Sequence, residues 1–203
     1  MKKSDFDPKH QNQTTESKIV ASLEKISQAF RVLLWQESRE YSLSPIQVQV
    51  LIFLLHHSEE KRKVSYLAGE FNMTKATISD TVKALDQKGL IEKAYEPNDT
   101  RSYVIHLTER GREMAEKTSH FTRELHTPID KLHADDKENL LLSLLNIIRH
   151  LNRAGVITVP RMCMTCTYYR SSENGQKHFC KLLNQHLQVT DLRIDCPEHK
   201  LKV

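Results

Sequence analysis

Two groups of side chains in this sequence have the types and spacings that do chemistry. Near the C-terminus, Cys163 and Cys166 form a C-x2-C knuckle, and Cys180 and Cys196 follow it. Four thiolates suffice for a closed tetrahedral zinc site, and a closed site keeps no open position for catalysis. The segment carrying them, roughly forty residues long, is too short to bury an adequate apolar core of its own. Leu182, Leu183, Leu187, Leu192 and Ile194 are its main apolar side chains. A metal coupled to folding would supply what is missing, so one structural zinc per chain on Cys163, Cys166, Cys180 and Cys196 is the expectation. His178, His186 or His199 in place of one cysteine, an iron–sulfur cluster (proline often follows its ligands, as Pro197 follows Cys196) and unliganded, redox-sensing thiols stay open beside it.

The second group is polar and stands mid-chain. Between Thr74 and Gly89 the apolar residues Ile78, Val82 and Leu85 fall on one helical face, and Lys75, Ala76, Ser79, Asp80 and Lys83 fall on the other. Small and polar side chains on an exposed helix face are what reading base edges in a DNA major groove requires. No Gly-rich phosphate loop, nucleophile elbow or His-Glu-x-x-His run is present. No catalytic residue is therefore expected, and an enzyme or redox carrier built on the cysteine tail is the alternative reading.

The surrounding elements position that face. Val64, Leu67, Ala68 and Phe71 recur at helical spacing, Asn72 breaks the pattern, and Thr74 is placed to cap the next helix. Gly89 stops it. Ile91, Lys93 and Tyr95 alternate with Glu92, Ala94 and Glu96, a turn falls at Pro97-Asn98-Asp99, and Tyr103, Ile105 and Leu107 alternate again, which predicts a β-hairpin with Arg101 near its tip.

With these residues in place, the run resembles the winged helix-turn-helix of the multiple-antibiotic-resistance regulator (MarR) family. The resemblance rests on Leu67-Ala68, Thr74 to Thr81, Lys88-Gly89-Leu90-Ile91, Asp99-Thr100-Arg101-Ser102 and Leu107-Thr108-Glu109-Arg110-Gly111-Arg112, in that order, and it spans roughly residues 15 to 153. It implies a DNA-binding homodimer, acting on a pseudo-palindromic operator as a repressor and tuned by a small ligand or redox signal, with effectors bound between the dimer helices and the winged domain. It implies that residues 74 to 88 enter the major groove of double-stranded DNA, with Thr74, Lys75, Thr77, Ser79 and Lys83 in contact, and that Arg101, held by Asp99, reaches the adjacent minor groove. Asp80 departs from the family pattern, in which many relatives carry a basic residue. The resemblance does not extend to the tail.

Elsewhere the chain reads as mainly helical. Only five glycines and six prolines stand in 203 residues, and Leu, Lys, Glu and Gln abound, which favours helices over a sandwich or barrel. The net charge of +4 permits nucleic-acid binding without demanding it. Residues 1 to 14 lack periodicity and are expected to be a disordered tail. A first long helix carries Ile19, Val20, Leu23, Ile26, Phe30, Leu33 and Leu34 on one face and ends near Tyr41. Ser44, Pro45 and Gln47 spell a capping box with proline at the first helical position, and His56-His57 at the end of that helix reads as a match to its dipole.

Thr108 caps a helix running toward Leu125, and Pro128 interrupts the pattern. Asp135 to Glu138 reads as a further capping box before Leu140, Leu141, Leu144, Leu145, Ile147, Ile148 and Leu151, and Gly155 supplies the stop. The apolar arcs of the first and last helices are too wide for a monomer surface, so a second subunit is their expected cover. The fold class is thus α+β winged helix-turn-helix with dimerisation helices (15–155, DNA-binding core 44–112), followed by a cysteine-rich tail (156–203). No apolar run reaches transmembrane length and the start lacks a signal-peptide core, so a cytoplasmic protein without membrane contact is expected.

Overall fold

Short-range signals set the element boundaries. The computed structural model describes residues 4–96, 99–172 and 177–202, with backbone alone at Glu96 and Asp99–Arg101. Ser44 and Gln47 form the reciprocal capping box that opens α3 (Pro45–His56), and Thr74 and Thr108 each accept a backbone N–H three residues on, at the starts of α5 (Lys75–Gln87) and α6 (Glu109–Thr118). Ahead of them lie a four-residue helix α1 (Pro8–Gln11), within the segment read as disordered, and the long α2 (Thr15–Glu40). The first helix of the helix-turn-helix is α4 (Val64–Glu70).

The turn between α4 and α5 is closed by backbone bonds. Asn72 takes φ 51°, Met73 N–H donates to the Ala68 carbonyl at 2.9 Å and Asn72 N–H to Gly69 at 3.2 Å, which together satisfy the last carbonyls of α4. Gly89, at φ 66°, ends α5 with the same pair of bonds, Leu90 to Leu85 and Gly89 to Asp86. The chain then enters an antiparallel pair, β1 (Ile91–Glu96) and β2 (Asp99–Leu107), in which Ile91 faces Leu107 and Lys93 faces Ile105. The expected turn at Pro97 and Asn98 lies outside the described residues, as do residues 173–176.

The core of this unit is apolar. Helix α3 is apolar nearly all round and forms the centre of the core, with Val48, Val50, Leu51 and Leu54 without solvent contact, beside Leu67, Ile78, Val82, Leu85 and Ile105. Each such side chain contributes about 1.5–3 kcal/mol of burial free energy. Helix α6 crosses so close to the start of β1 that a Cβ on Gly111 would lie 1.8 Å from the Leu90 carbonyl oxygen. That approach explains the glycine of the Leu-Thr-x-x-Gly-Arg run.

Three expectations need correction. The helix expected to reach Leu125 stops at Thr118, where the Thr118 and Ser119 hydroxyls donate to the Met114 and Glu116 carbonyls, and α7 (Arg123–Asp130) restarts with Pro128 inside it. The capping box at Asp135 does not form: α8 (Ala134–Arg153) starts from His133, before that residue, which leaves Asp135 and Asp136 in the first turn against the positive end of the helix. Finally, the tail does not stand alone. Leu145 of α8, 1% exposed, joins Met162, Met164, Leu187 and Leu192 in a second cluster, with Leu141, Leu142 and Ile148 packed around it. Part of the wide apolar arc of α8 is therefore spent on the chain's own tail. The tail itself is a three-stranded antiparallel sheet, β3 (Tyr169–Ser171), β4 (His178–Cys180) and β5 (Gln185–Leu187), in that order.

Candidate nucleic-acid interface and the cysteine tail

Helix α5 presents the face that its spacing predicts. Ile78, Val82 and Leu85 are fully buried, and Thr74, Lys75, Thr77, Ser79, Asp80 and Lys83 are all exposed. Thr74 does two things: its oxygen accepts from Thr77 N–H at 3.1 Å and lies 2.9 Å from the Thr77 hydroxyl, so the helix start is rigid and its free N–H groups point outward. Beside it Lys63, Ser65, Lys75 and Ser102 line a shallow hollow of about 200 Å³ between the helix-turn-helix and the hairpin.

The hairpin is tied to this helix. Lys93 of β1 pairs with Asp86 of α5 at 2.7 Å, a hydrogen bond that holds the lysine above its ordinary pKa, and the Ile105 N–H donates to the Arg62 carbonyl at 2.9 Å. The backbone of Asp99 and Arg101 lies in β2 at the hairpin tip, and their side chains fall outside the described residues.

Sequence reasoning missed a polar hub on the other side of α4. Arg161, 9% exposed, donates through Nε and Nη2 to both carboxylate oxygens of Asp195 at 2.7 and 2.6 Å, through Nη1 and Nη2 to Glu70, and through Nη1 to the Tyr66 hydroxyl at 3.2 Å. Asp195 also faces His57 Nε2 at 2.9 Å, and the His57 ring stacks on Phe53 at 3.8 Å. Burial pushes the Asp195 carboxyl up, but the hydrogen bonds from Arg161 and His57 outweigh it and leave the group at about 2. His57, read as a dipole match, is thus a docking residue. Thr158 adds a bond from its hydroxyl to the Gly69 carbonyl at 2.7 Å, and Val159 packs 3.3 Å from where a Cβ of Gly69 would stand. A cleft of about 440 Å³ opens beside this hub, lined by His56, His57, Ser58, Lys61, Asp195 and Pro197. No periodicity could have signalled the hub, because its members are isolated charges far apart in sequence.

The four cysteines are free thiols. Cys163 and Cys166 bracket a 3-10 turn closed by Cys166 N–H to the Cys163 carbonyl at 2.9 Å; Cys180 ends β4 opposite Tyr169; Cys196 N–H donates to the Arg161 carbonyl at 2.9 Å. Arg193 N–H points at Cys163 Sγ at 3.2 Å and its guanidinium at Cys196 Sγ at 3.6 Å. Burial pushes the Cys163 thiol up, that amide pulls it down, and Cys196, Cys180 and Cys166 lie near enough to push it up again. Among the described residues no group of three or more His, Cys, Asp or Glu side chains is arranged to hold a metal ion. Of the histidines held open as ligands, His178 is buried with Nδ1 2.6 Å from the Tyr169 hydroxyl, His199 Nε2 lies 3.0 Å from Thr165 Oγ1, and His186 packs edge-on against Phe179.

The fold and this exposed helix define a winged helix-turn-helix chain. Residues 43–111 match the family described as winged helix DNA-binding domain. Among the relatives, the HTH-type transcriptional regulator BilQ of Clostridioides difficile is 27% identical over 106 residues, 51% of this chain and 72% of that protein. The HTH-type transcriptional regulator YdgJ of Bacillus subtilis is 32% identical over 68 residues, 34% of this chain and 41% of that protein. The Staphylococcus aureus MepR–DNA complex matches in fold at a TM-score of 0.57 and 23% identity, covering 65% of this chain and 97% of that one.

Proposed function

We propose that the chain is a sequence-specific DNA-binding transcriptional regulator that acts as a homodimer on a pseudo-palindromic duplex. The observation that carries this reading is the division of α5: three aliphatic side chains anchor it without solvent contact, and every residue expected to touch DNA on it is exposed. Its N-terminal turn, with Thr74, Lys75, Thr77 and Ser79, enters the major groove, Lys83 follows along the open side, and Arg101, steadied by Asp99, reaches the minor groove. The relatives' naming as transcriptional regulators supports the same assignment, and nothing in them favours an enzyme centred on the tail.

Helix α2 supports the dimer. Ile19, Val20, Ile26, Phe30, Val32 and Trp35 are each more than 40% exposed along it, with Ile19, Ile26 and Phe30 on one face, an apolar load that a second subunit would cover. A cleft of about 430 Å³ lies where the end of α2 meets the winged unit, lined by residues that include Tyr41, Leu43, Lys88, Leu90, Arg110 and Met114. It is the candidate place for a small effector that shifts the spacing of the two α5 helices. Among the described residues no helix is long and apolar enough to cross a membrane, and a cytoplasmic site of action fits that.

The test is a titration, at stated salt, of duplexes drawn from the DNA adjacent to its own gene and chosen for an inverted repeat. Arg101→Ala is expected to weaken binding by about 1–3 kcal/mol with unchanged thermal stability. Equal affinity of the wild-type chain for the repeat and for scrambled duplex would overturn the reading.

A further inference from the structure

We infer that the tail braces the helix-turn-helix, and that Arg161 and Thr158 are positioning residues for DNA binding, acting through the turn between α4 and α5. Helix α4 is the weaker half of the pair. It has seven residues, fewer than a helix needs to hold its shape in water on its own. Only Leu67 and Ala68 on it are buried, with Val64 and Tyr66 packed against the core in part, whereas α5 buries Ile78, Thr81, Val82 and Leu85. A lysine, Lys63, stands at its N-cap, and that side chain has no acceptor to offer the open N–H groups there.

The tail's contacts converge on the last turn of α4. Arg161 Nη2 donates to Glu70 Oε1 at 3.0 Å, Nη1 donates to the other Glu70 oxygen and to the Tyr66 hydroxyl, and the guanidinium lies 5.6 Å from the ring centre of Phe53 on α3. Asp195 holds the opposite edge of that guanidinium and also faces His57, so the arginine has one pose between the two helices. Thr158 reaches the backbone itself. Its hydroxyl donates to the Gly69 carbonyl, the same carbonyl that accepts from Asn72 N–H to close the turn. Asn72 and Met73 lead directly into Thr74, the cap of α5. A shift in the last turn of α4 therefore carries the N-terminal turn of α5 with it. A helix-turn-helix fixed before it meets DNA has less conformational freedom to lose on binding, so the brace raises affinity without touching the duplex. Arg161 is itself unfit as a phosphate contact, since it is 9% exposed and its N–H donors are taken by Glu70, Asp195 and Tyr66.

Two readouts on the full chain test the brace, and the first needs no DNA. In hydrogen exchange, Arg161→Met is expected to speed the amides of Val64–Glu70 on the order of tenfold, while those of α3 near Leu51 change little. Unchanged exchange in α4 would sink the brace. In duplex titrations over a range of salt, the same variant is expected to bind the inverted repeat on the order of fivefold more weakly. The slope of log affinity against log salt should stay as it is in the wild-type chain, because that slope counts the phosphates neutralised and Arg161 reaches none. A slope shallower by about one would make Arg161 a direct contact and overturn its positioning role. Should Arg161→Met fail to fold, Thr158→Val, which removes the hydroxyl bond to Gly69, is expected to shift both readouts in the same directions on the order of threefold. No shift in either would overturn the inference. The effect on binding rests on the DNA-binding reading, and the two fail differently. A wild-type chain that binds the repeat no better than scrambled duplex refutes that reading, whatever α4 does. A wild-type chain that selects the repeat, beside an Arg161→Met chain of equal affinity and loosened α4, refutes this inference alone.

Discussion

Helix α5 rests on Ile78, Val82 and Leu85, whereas the tail, packed on Leu145 of α8, meets the helix-turn-helix through Arg161, Glu70 and Asp195; toward the winged unit one attachment is oil and the other is charge. The difference has consequences for how each responds to change. Apolar packing is non-directional and graded, so the recognition helix tolerates small losses while keeping its angle. The arginine hub is directional. A guanidinium with five donors shared among two carboxylates and a hydroxyl holds one geometry, and losing it exposes the remaining charges to a poor solvent. With α5 on the first kind of support and the tail's contact to α4 on the second, the exposed face of α5 is held by graded packing and the tail's contact by a few directed bonds.

Substitutions that strike one support and spare the other separate the two. The largest effect is expected at Gly111, where any side chain meets the Leu90 carbonyl: Gly111→Ala should cost about 3 kcal/mol in chemical denaturation, and it should unfold the winged unit as a whole. A loss under about 1 kcal/mol would show that α6 slides freely and that the core is less rigid than its packing implies. Next comes Arg161→Met, which keeps the stem and removes the charge. It should cost about 2 kcal/mol, discounted from a fully buried pair because Asp195 keeps 40% of its side chain in solvent. Proteolysis should then cut near residue 156 while the denaturation midpoint of the winged unit holds. A parallel fall in both would mean that the tail is part of the core. The smallest effect belongs to Thr74→Ala, about 1 kcal/mol from the lost cap, with DNA affinity falling further than stability if that hydroxyl also meets the duplex.

Much of the winged unit was legible because its signals are local. Ser44 with Gln47, Thr74, Thr108, Gly89 and Gly155 each mark an end through groups three or four residues away, and the two faces of α5 follow from spacing alone. Asp135 misled because a carboxylate suits the first turn of a helix as well as its cap. The hub was illegible for the opposite reason. Arg161 meets Glu70 across 91 positions and Asp195 across 34, and no pattern in a linear sequence distinguishes those carboxylates from solvent-facing ones. Nor did composition reveal that Leu145 serves the tail, since a leucine-rich helix advertises that it must be covered and not by what.

Trp35 gives the molecule an optical readout of its own. It is the sole tryptophan, it stands on α2 with 55% of its surface in water, and the Arg39 guanidinium lies 5.1 Å from its ring centre. An indole in that setting emits at long wavelength and is open to quenching by iodide, drawn closer by the neighbouring cation. Whatever seats itself along α2 shifts that emission to the blue and shuts the quencher out, and because neither the tail nor α5 holds another indole, the colour of the light reports the state of one helix face and of nothing else.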